Sequence, residues 1–217
     1  MSPQLIDLLI TSLLDTLLMV GVASAIAVVI GIPLGVTLTV TARGNMLENQ
    51  PVNHVLGAII NATRSVPFVI LMVAIIPFTR LVAQTSIGTT AAIVPLSVAA
   101  IPFMARIAEN AMREVDPGLI TAARAMGASP MQIILKVLLP EALPGLIAAT
   151  IVTVVSLIGY SAMAGAIGGG GLGDLGIRYG YQRFLPDVML AVVIILIFFV
   201  QAIQSLGDWA VRKLSHR

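Results

Sequence analysis

The chain has 217 residues, of which 58% are hydrophobic and only 10% charged, with 12 Lys and Arg against 10 Asp and Glu. An ordinary soluble domain carries about 25% charged and about 45–50% apolar residues, so a water-solvated globule is excluded and lipid is the expected solvent. The charge balance is too small to mark a nucleic-acid partner, the absence of cysteine removes disulfides, thiolate nucleophiles and Cys-based metal sites, and His54 and His216 stand too far apart for a metal centre.

In chain order, Ser2-Pro3-Gln4-Leu5-Ile6-Asp7 lacks the basic start of a signal peptide. Residues 3–16 are expected to form a short helix that leads into a first span, with Asp7 and Asp15 toward the outer surface. Asp15 and Arg43 enclose 27 uncharged residues, Arg80 and Arg106 enclose 25, Glu141 and Asp174 enclose 32, and Asp187 and Asp208 enclose 20. Each stretch meets the roughly 20 residues that a bilayer-crossing helix needs. A fifth and weaker stretch runs from Val55 to Phe78; Arg64 interrupts it, snorkelling to the headgroups, and Pro67 follows. The pattern predicts an all-α integral membrane protein, one domain of five transmembrane helices near residues 18–40, 56–78, 86–104, 146–165 and 188–207. Gly31, Pro33, Gly35, Pro67, Pro95 and Pro102 are candidate bend points or close-packing positions within them.

The basic residues orient the spans. Arg43, Arg64, Arg106, Arg113, Arg124, Lys136, Arg212, Lys213 and Arg217 fall toward one side, and Arg80, Arg178 and Arg183 toward the other. The expected topology is multi-pass in the cytoplasmic membrane, N-terminus outside and C-terminus inside. No carboxylate falls within a span to bind a coupling ion, and no His, Asp or Lys lies deep enough to activate Ser24, Ser97, Ser156 or Ser161 as a nucleophile, so neither an ion-driven transporter nor an intramembrane hydrolase is expected. The run Gly168-Gly169-Gly170-Gly171-Leu172-Gly173-Asp174-Leu175-Gly176 matches Gly-x-Gly-x-x-Gly twice but lacks the strand–turn–helix setting of a phosphate cradle; a tight, closely packed exit from the fourth span is the better reading. The chain is then a passive pore, a structural or assembly subunit, or one part of a machine powered by a partner.

Residues 106–141 form the longest polar stretch, with four basic and four acidic residues. Within it, 116–140 reads as two short helices. Asp116 caps the first, Pro117 occupies its first turn and Gly127 ends it; Ser129 caps the second, with Pro130 at its start and Gln132 completing a capping box, and Pro140 is expected to help end it. Leu119, Ala122, Ala123, Met126, Ile133, Ile134 and Val137 recur near helical spacing and need a surface to cover them, either the ends of the spans or a partner.

Ala122-Ala123-x-x-x-Gly127, nine residues, then Val137-x-Leu139-Pro140 resembles the "EAA" loop of ABC importer permeases, with Thr121 where that family usually has glutamate and Val137 in place of isoleucine. The likeness extends along the chain and is greatest to permeases of methionine importers. It is carried also by Arg64-Ser65-Val66-Pro67-Phe68, Ile76-Pro77-Phe78-Thr79-Arg80, Gly159-Tyr160-Ser161-Ala162-Met163-Ala164-Gly165, and Gly171-Leu172-Gly173 with Tyr179-Gly180-Tyr181. The resemblance implies a type I ABC importer fold whose cytoplasmic coupling helices lie between spans 3 and 4. It implies ATPase docking through Ala122, Ala123, Gly127, Ser129, Leu139 and Pro140, in a helix-in-groove contact. It further implies two copies of this chain, two cytoplasmic ABC ATPase subunits that hold the ATP and Mg, and an extracytoplasmic binding protein delivering L- or D-methionine; this chain would hold no cofactor and catalyse no reaction.

Tyr160, Ser161 and Met163 in the fourth span are the candidate pathway residues. A neutral, mildly polar lining with a thioether suits a small zwitterion with an apolar side chain. Core packing for Met163 and interhelical hydrogen bonding for Tyr160 and Ser161 are the competing readings. A permease for another small neutral solute, or a partner-independent channel, are the alternative functions.

Overall fold

The computed structural model describes residues 3–214, so the expectations that involve Ser2, His216 and Arg217 fall outside the described residues. Every element among them is helical. The first helix, α1 (Pro3–Thr41), is one unbroken 39-residue rod rather than a short helix feeding a separate span. After a turn come α2 (Gln50–Ser65), α3 (Phe68–Ala74) and α4 (Ile76–Ala83), then α5 (Thr89–Arg113) and the short α6 (Pro117–Ala125). The next helix starts as α7 (Pro130–Ile133), passes through a π-helical segment at Ile134–Leu138 and continues as α8 (Leu139–Ala166). A five-residue helix, α9 (Gly171–Leu175), runs through a second π segment (Gly176–Gln182), and α10 (Pro186–Leu214) ends the described chain.

Four rods are long and apolar enough to cross a bilayer: α1, α5, α7 through α8, and α10. The expected span at 56–78 is not a straight helix. Between α2 and α3 the chain bends by 102°, because Pro67 forces Val66 into an extended conformation (φ −86°, ψ 126°) and supplies no N–H to continue the α2 ladder. Counted as one broken span, this pair brings the four crossings to five. Pro33, Pro95 and Pro102 lie inside continuous helices. The helix is not ended at Pro140 either: Leu139 N–H donates to Ile134 O five residues back, and this widened turn carries the rod past the proline into the span.

α1, α5 and α8 form the centre. α1 and α5 run side by side in the same direction, with Gly31 against Met104 and Gly35 against Ala105 and Ala108; a Cβ on Gly35 would sit 2.7 Å from the Ala105 carbonyl oxygen. α8 returns along them, with Thr153 beside Met104 and Gly145 against Ala111. Ala23, Ala27, Ala100, Ala108 and Ala149 are buried in this seam. Small side chains let backbones approach closely, which is how helices associate where lipid offers no hydrophobic contrast. A second cluster, Leu9, Leu172, Leu175, Val188 and Val192, pins the start of α1 to α9 and α10.

The glycine run makes a tight turn in which Gly168, Gly170 and Gly171 have positive φ. A Cβ on Gly171 would lie 2.7 Å from Thr16 Oγ1 and Met19 Cε, and one on Gly173 would lie 2.4 Å from the Ala162 backbone. Leu172 N–H donates to Thr16 Oγ1 at 2.9 Å, so the run is a packing device that seats α9 between α1 and α8.

Candidate functional site

The segment 116–140 projects from the end of the bundle where α5 finishes and the long fourth rod begins. Its caps form as the side-chain pattern requires. Asp116 accepts from Gly118 N–H at 2.8 Å, and Gly127 takes φ +81° to end α6. Ser129 N–H donates to Gln132 Oε1 at 2.8 Å while Gln132 N–H donates back to Ser129 Oγ at 3.4 Å. Thr121, in the place of the family glutamate, donates its hydroxyl to the Pro117 carbonyl at 2.9 Å.

The two ways of covering the apolar residues of this segment divide between its two faces. Ala123, Ile133, Ile134 and Leu138 are buried, and Ile134 and Leu138 join the central cluster with Met112 and Val115. Ile134 and Leu138 fasten the segment to the bundle, while Ala123 is covered within the segment itself. On the other side Leu119, Met126, Met131 and Leu135 are exposed, Met126 to 81%. Ala122, Gly127, Ser129 and Pro140 are exposed and Leu139 is half-buried. The outer face therefore offers four large apolar side chains around a small-residue turn, on a base held rigid from behind.

The pathway candidates diverge. Met163 is 47% exposed and shares an uncovered strip of α8 with Val152 and Gly159, continued by Ile167 just past the helix end, while Ser156 is half-buried at its edge. Apart from its chain neighbours and its own helix backbone, nothing comes within 4 Å of where a Cβ on Gly159 would be. Tyr160 is half-buried and stacks on Phe68 of α3, with ring centroids 4.8 Å apart and planes 9° from parallel. Ser161 faces the interior and donates its hydroxyl to Ile158 O at 2.8 Å. The strip is neutral throughout.

A buried ionic cluster near the root of the segment was not anticipated as a unit. Glu109 is 1% exposed and accepts at 2.6 Å from both Arg106 and Arg113. Arg106 also donates to Asn61 Oδ1 at 2.8 Å, joining α5 to α2. The spacing Arg106-x-x-Glu109-x-x-x-Arg113 is a helix-face signal legible in sequence. Its burial and its link to Asn61 are not. Arg64, expected to snorkel, is exposed, and its guanidinium lies 6.0 Å from the centroid of the Phe103 ring. Among the described residues no group of three or more His, Cys, Asp or Glu side chains is placed to hold a metal.

Residues 27–217 match the family described as the inner membrane component of binding-protein-dependent transport systems. A protein of Vibrio cholerae serotype O1, named as a probable D-methionine transport system permease protein MetI, is 56% identical over 97% of this chain and 94% of its own. Its namesake in Pasteurella multocida is 50% identical over the full length of both chains. A solved structure described as inward-facing conformations of the MetNI methionine ABC transporter superposes with a TM-score of 0.98, at 50% identity and full coverage of both chains.

Proposed function

The chain belongs to the family of binding-protein-dependent transport system inner membrane components, and from that membership we propose that it is the permease subunit of an ATP-driven methionine importer. It is a multi-pass membrane protein with the type I importer permease fold, and a transport component. The observation that carries the mechanism is the two-faced segment 116–140: rigidly rooted by Ile133, Ile134 and Leu138, and apolar outward at Leu119, Met126, Met131 and Leu135.

In this reading the outward face seats in a groove of a cytoplasmic ATPase. Each such side chain contributes about 1.5–3 kcal/mol when fully buried; Ala122 and Gly127 keep the turn thin enough to enter, and Ala123 packs behind them rather than on the docking face. Ser129 and the Leu139-Pro140 junction tie the docked turn to the fourth span. Two copies of the chain pair with two ATPases, which hold ATP and Mg, and an extracytoplasmic binding protein delivers L- or D-methionine. ATP binding draws the ATPases together, the coupling helices follow, and the two permease subunits rock so that a central path opens outward; hydrolysis returns it to the inward-open state. The uncovered strip of α8 lines that path, with Met163 and Tyr160 toward it and Ser161 holding the helix behind them. The protein sits in a bacterial cytoplasmic membrane, N-terminus outside, as one permease domain.

Co-purification with the ATPase, followed by methionine uptake in vesicles, tests this. Met126→Asp with Met131→Asp should abolish capture of the ATPase while the permease still inserts and pairs. Failure of the unaltered chain to associate with the ATPase, or uptake that needs no ATP, would overturn the reading.

A further inference from the structure

Eight helical threonines, among them Thr16, Thr39 and Thr153, return their hydroxyls to the carbonyl four residues earlier at 2.6–2.9 Å. Thr79 of α4 does not. It is 4% exposed, and its Oγ1 is shut off from solvent with no hydrogen-bond partner, although the Ile75 carbonyl, which accepts the Thr79 N–H at 2.8 Å, lies one turn away. Thr79 instead lines a cavity of about 70 Å³ at the end of the bundle opposite the 116–140 segment, where α4, the start of α5 and the glycine turn after α8 converge.

Two further polar groups converge there. Ala91 and Pro95 both line the cavity, and Pro95 has no N–H to give to the Ala91 carbonyl one turn earlier. Ser86 adds a second hydroxyl, and Met72 and Ala92 are among the apolar residues of the wall. No charged side chain lines it. A cation would need a fuller shell of oxygens, usually with a carboxylate among them; a water needs two to four polar partners and on the order of 10–15 Å³ of open volume.

We propose that this cavity is an ordered-water site, in which water accepts from the Thr79 hydroxyl and donates to the Ala91 carbonyl, joining α4 to α5 through solvent rather than directly. The same convergence is tied by one backbone bond, Gly88 N–H to Gly168 O at 2.9 Å. A joint bridged by water parts without stranding its polar groups, since each re-pairs with water as the gap widens. That gives the outer end of the permease a low-cost opening seam. This last step rests on the alternating-access reading; the water site itself does not.

X-ray radiolytic footprinting of the assembled transporter tests it, because hydroxyl radicals formed from a bound water oxidise the side chains beside it. Met72, 7% exposed and lining the cavity, should be oxidised severalfold faster than Met19, which is fully buried away from it; because Met72 starts as the more exposed of the two, the comparison of Thr79 variants carries the decision. Thr79→Val, which keeps the shape and removes the hydroxyl, should bring Met72 down toward Met19, and Thr79→Ser should retain the faster rate. Equal oxidation of the two methionines, no effect of Thr79→Val, or oxidation of Met72 that falls as sodium is raised would overturn the proposal, the last by identifying a cation as the occupant. Uptake is not read, so a dry cavity leaves the permease assignment standing, and a chain that imports nothing can still hold the water.

Discussion

Glu109 illustrates how much one residue carries at the edge of a bilayer. Its carboxylate is desolvated and offset by two guanidinium groups, one of which also holds Asn61 of α2. Removing one member of a buried ion cluster strands the others, at a cost of about 3–5 kcal/mol, whereas an exposed pair is worth about 0–1 kcal/mol. Glu109→Gln should therefore lower the stability of the purified protein by on the order of 3 kcal/mol in a denaturant melt, toward the small end of that range because Arg113 is largely solvated. Arg113→Ala should cost about 1 kcal/mol or less in the same measurement. Met163 is the opposite kind of residue, one that packs against little within its own chain. Met163→Trp should leave assembly and thermal stability unchanged and stop methionine uptake; wild-type uptake would remove it from the path.

At the scale of elements, five prolines of the same chemistry have different consequences. Pro67 turns the chain by 102°, while Pro33, Pro95 and Pro102 stay within continuous helices and Pro140 is bypassed by a π turn. Pro33, Pro95 and Pro102 lie in rods clamped along their length by α1–α5 packing; the approach to Pro67, Asn61-Ala62-Thr63-Arg64-Ser65, is mostly exposed and polar and gives the helix no such support. The glycines divide in the same way. Gly173 is pressed against the Ala162 backbone, whereas Gly159 faces open space. Gly173→Ala should destabilise by about 1–3 kcal/mol or more, because backbone cannot step aside, and Gly159→Ala should be neutral or stabilising by up to about 1 kcal/mol, as expected for a helical glycine without neighbours. Equal melting temperatures for the two variants would contradict the seating of α9 between α1 and α8.

For the whole molecule, the remaining question of direction is settled by labelling. The cysteine-free background is ready-made for it: Ser129→Cys should resist a membrane-impermeant maleimide in intact cells and Gln182→Cys should react, and the reverse pattern would invert the proposed orientation. The four long apolar rods and the caps of the 116–140 segment were legible in the amino-acid order, because charge placement and capping are local and each has its own chemical mark. Asp116, Gly127 and Ser129 do in the structure what their neighbours in sequence require. The continuity of α1, the passage through Pro140 and the break at Pro67 were not legible, since whether a proline bends a helix depends on what packs around it. Nor was the burial of Ser161 beside the exposure of Met163. By itself the sequence determined that this chain lives in lipid and where its long apolar stretches and its polar root lie. Only the tertiary structure decided which face of each span is covered: lipid tails and neighbouring helices are equally apolar, so hydropathy distinguishes membrane from water but not a packed face from an open one.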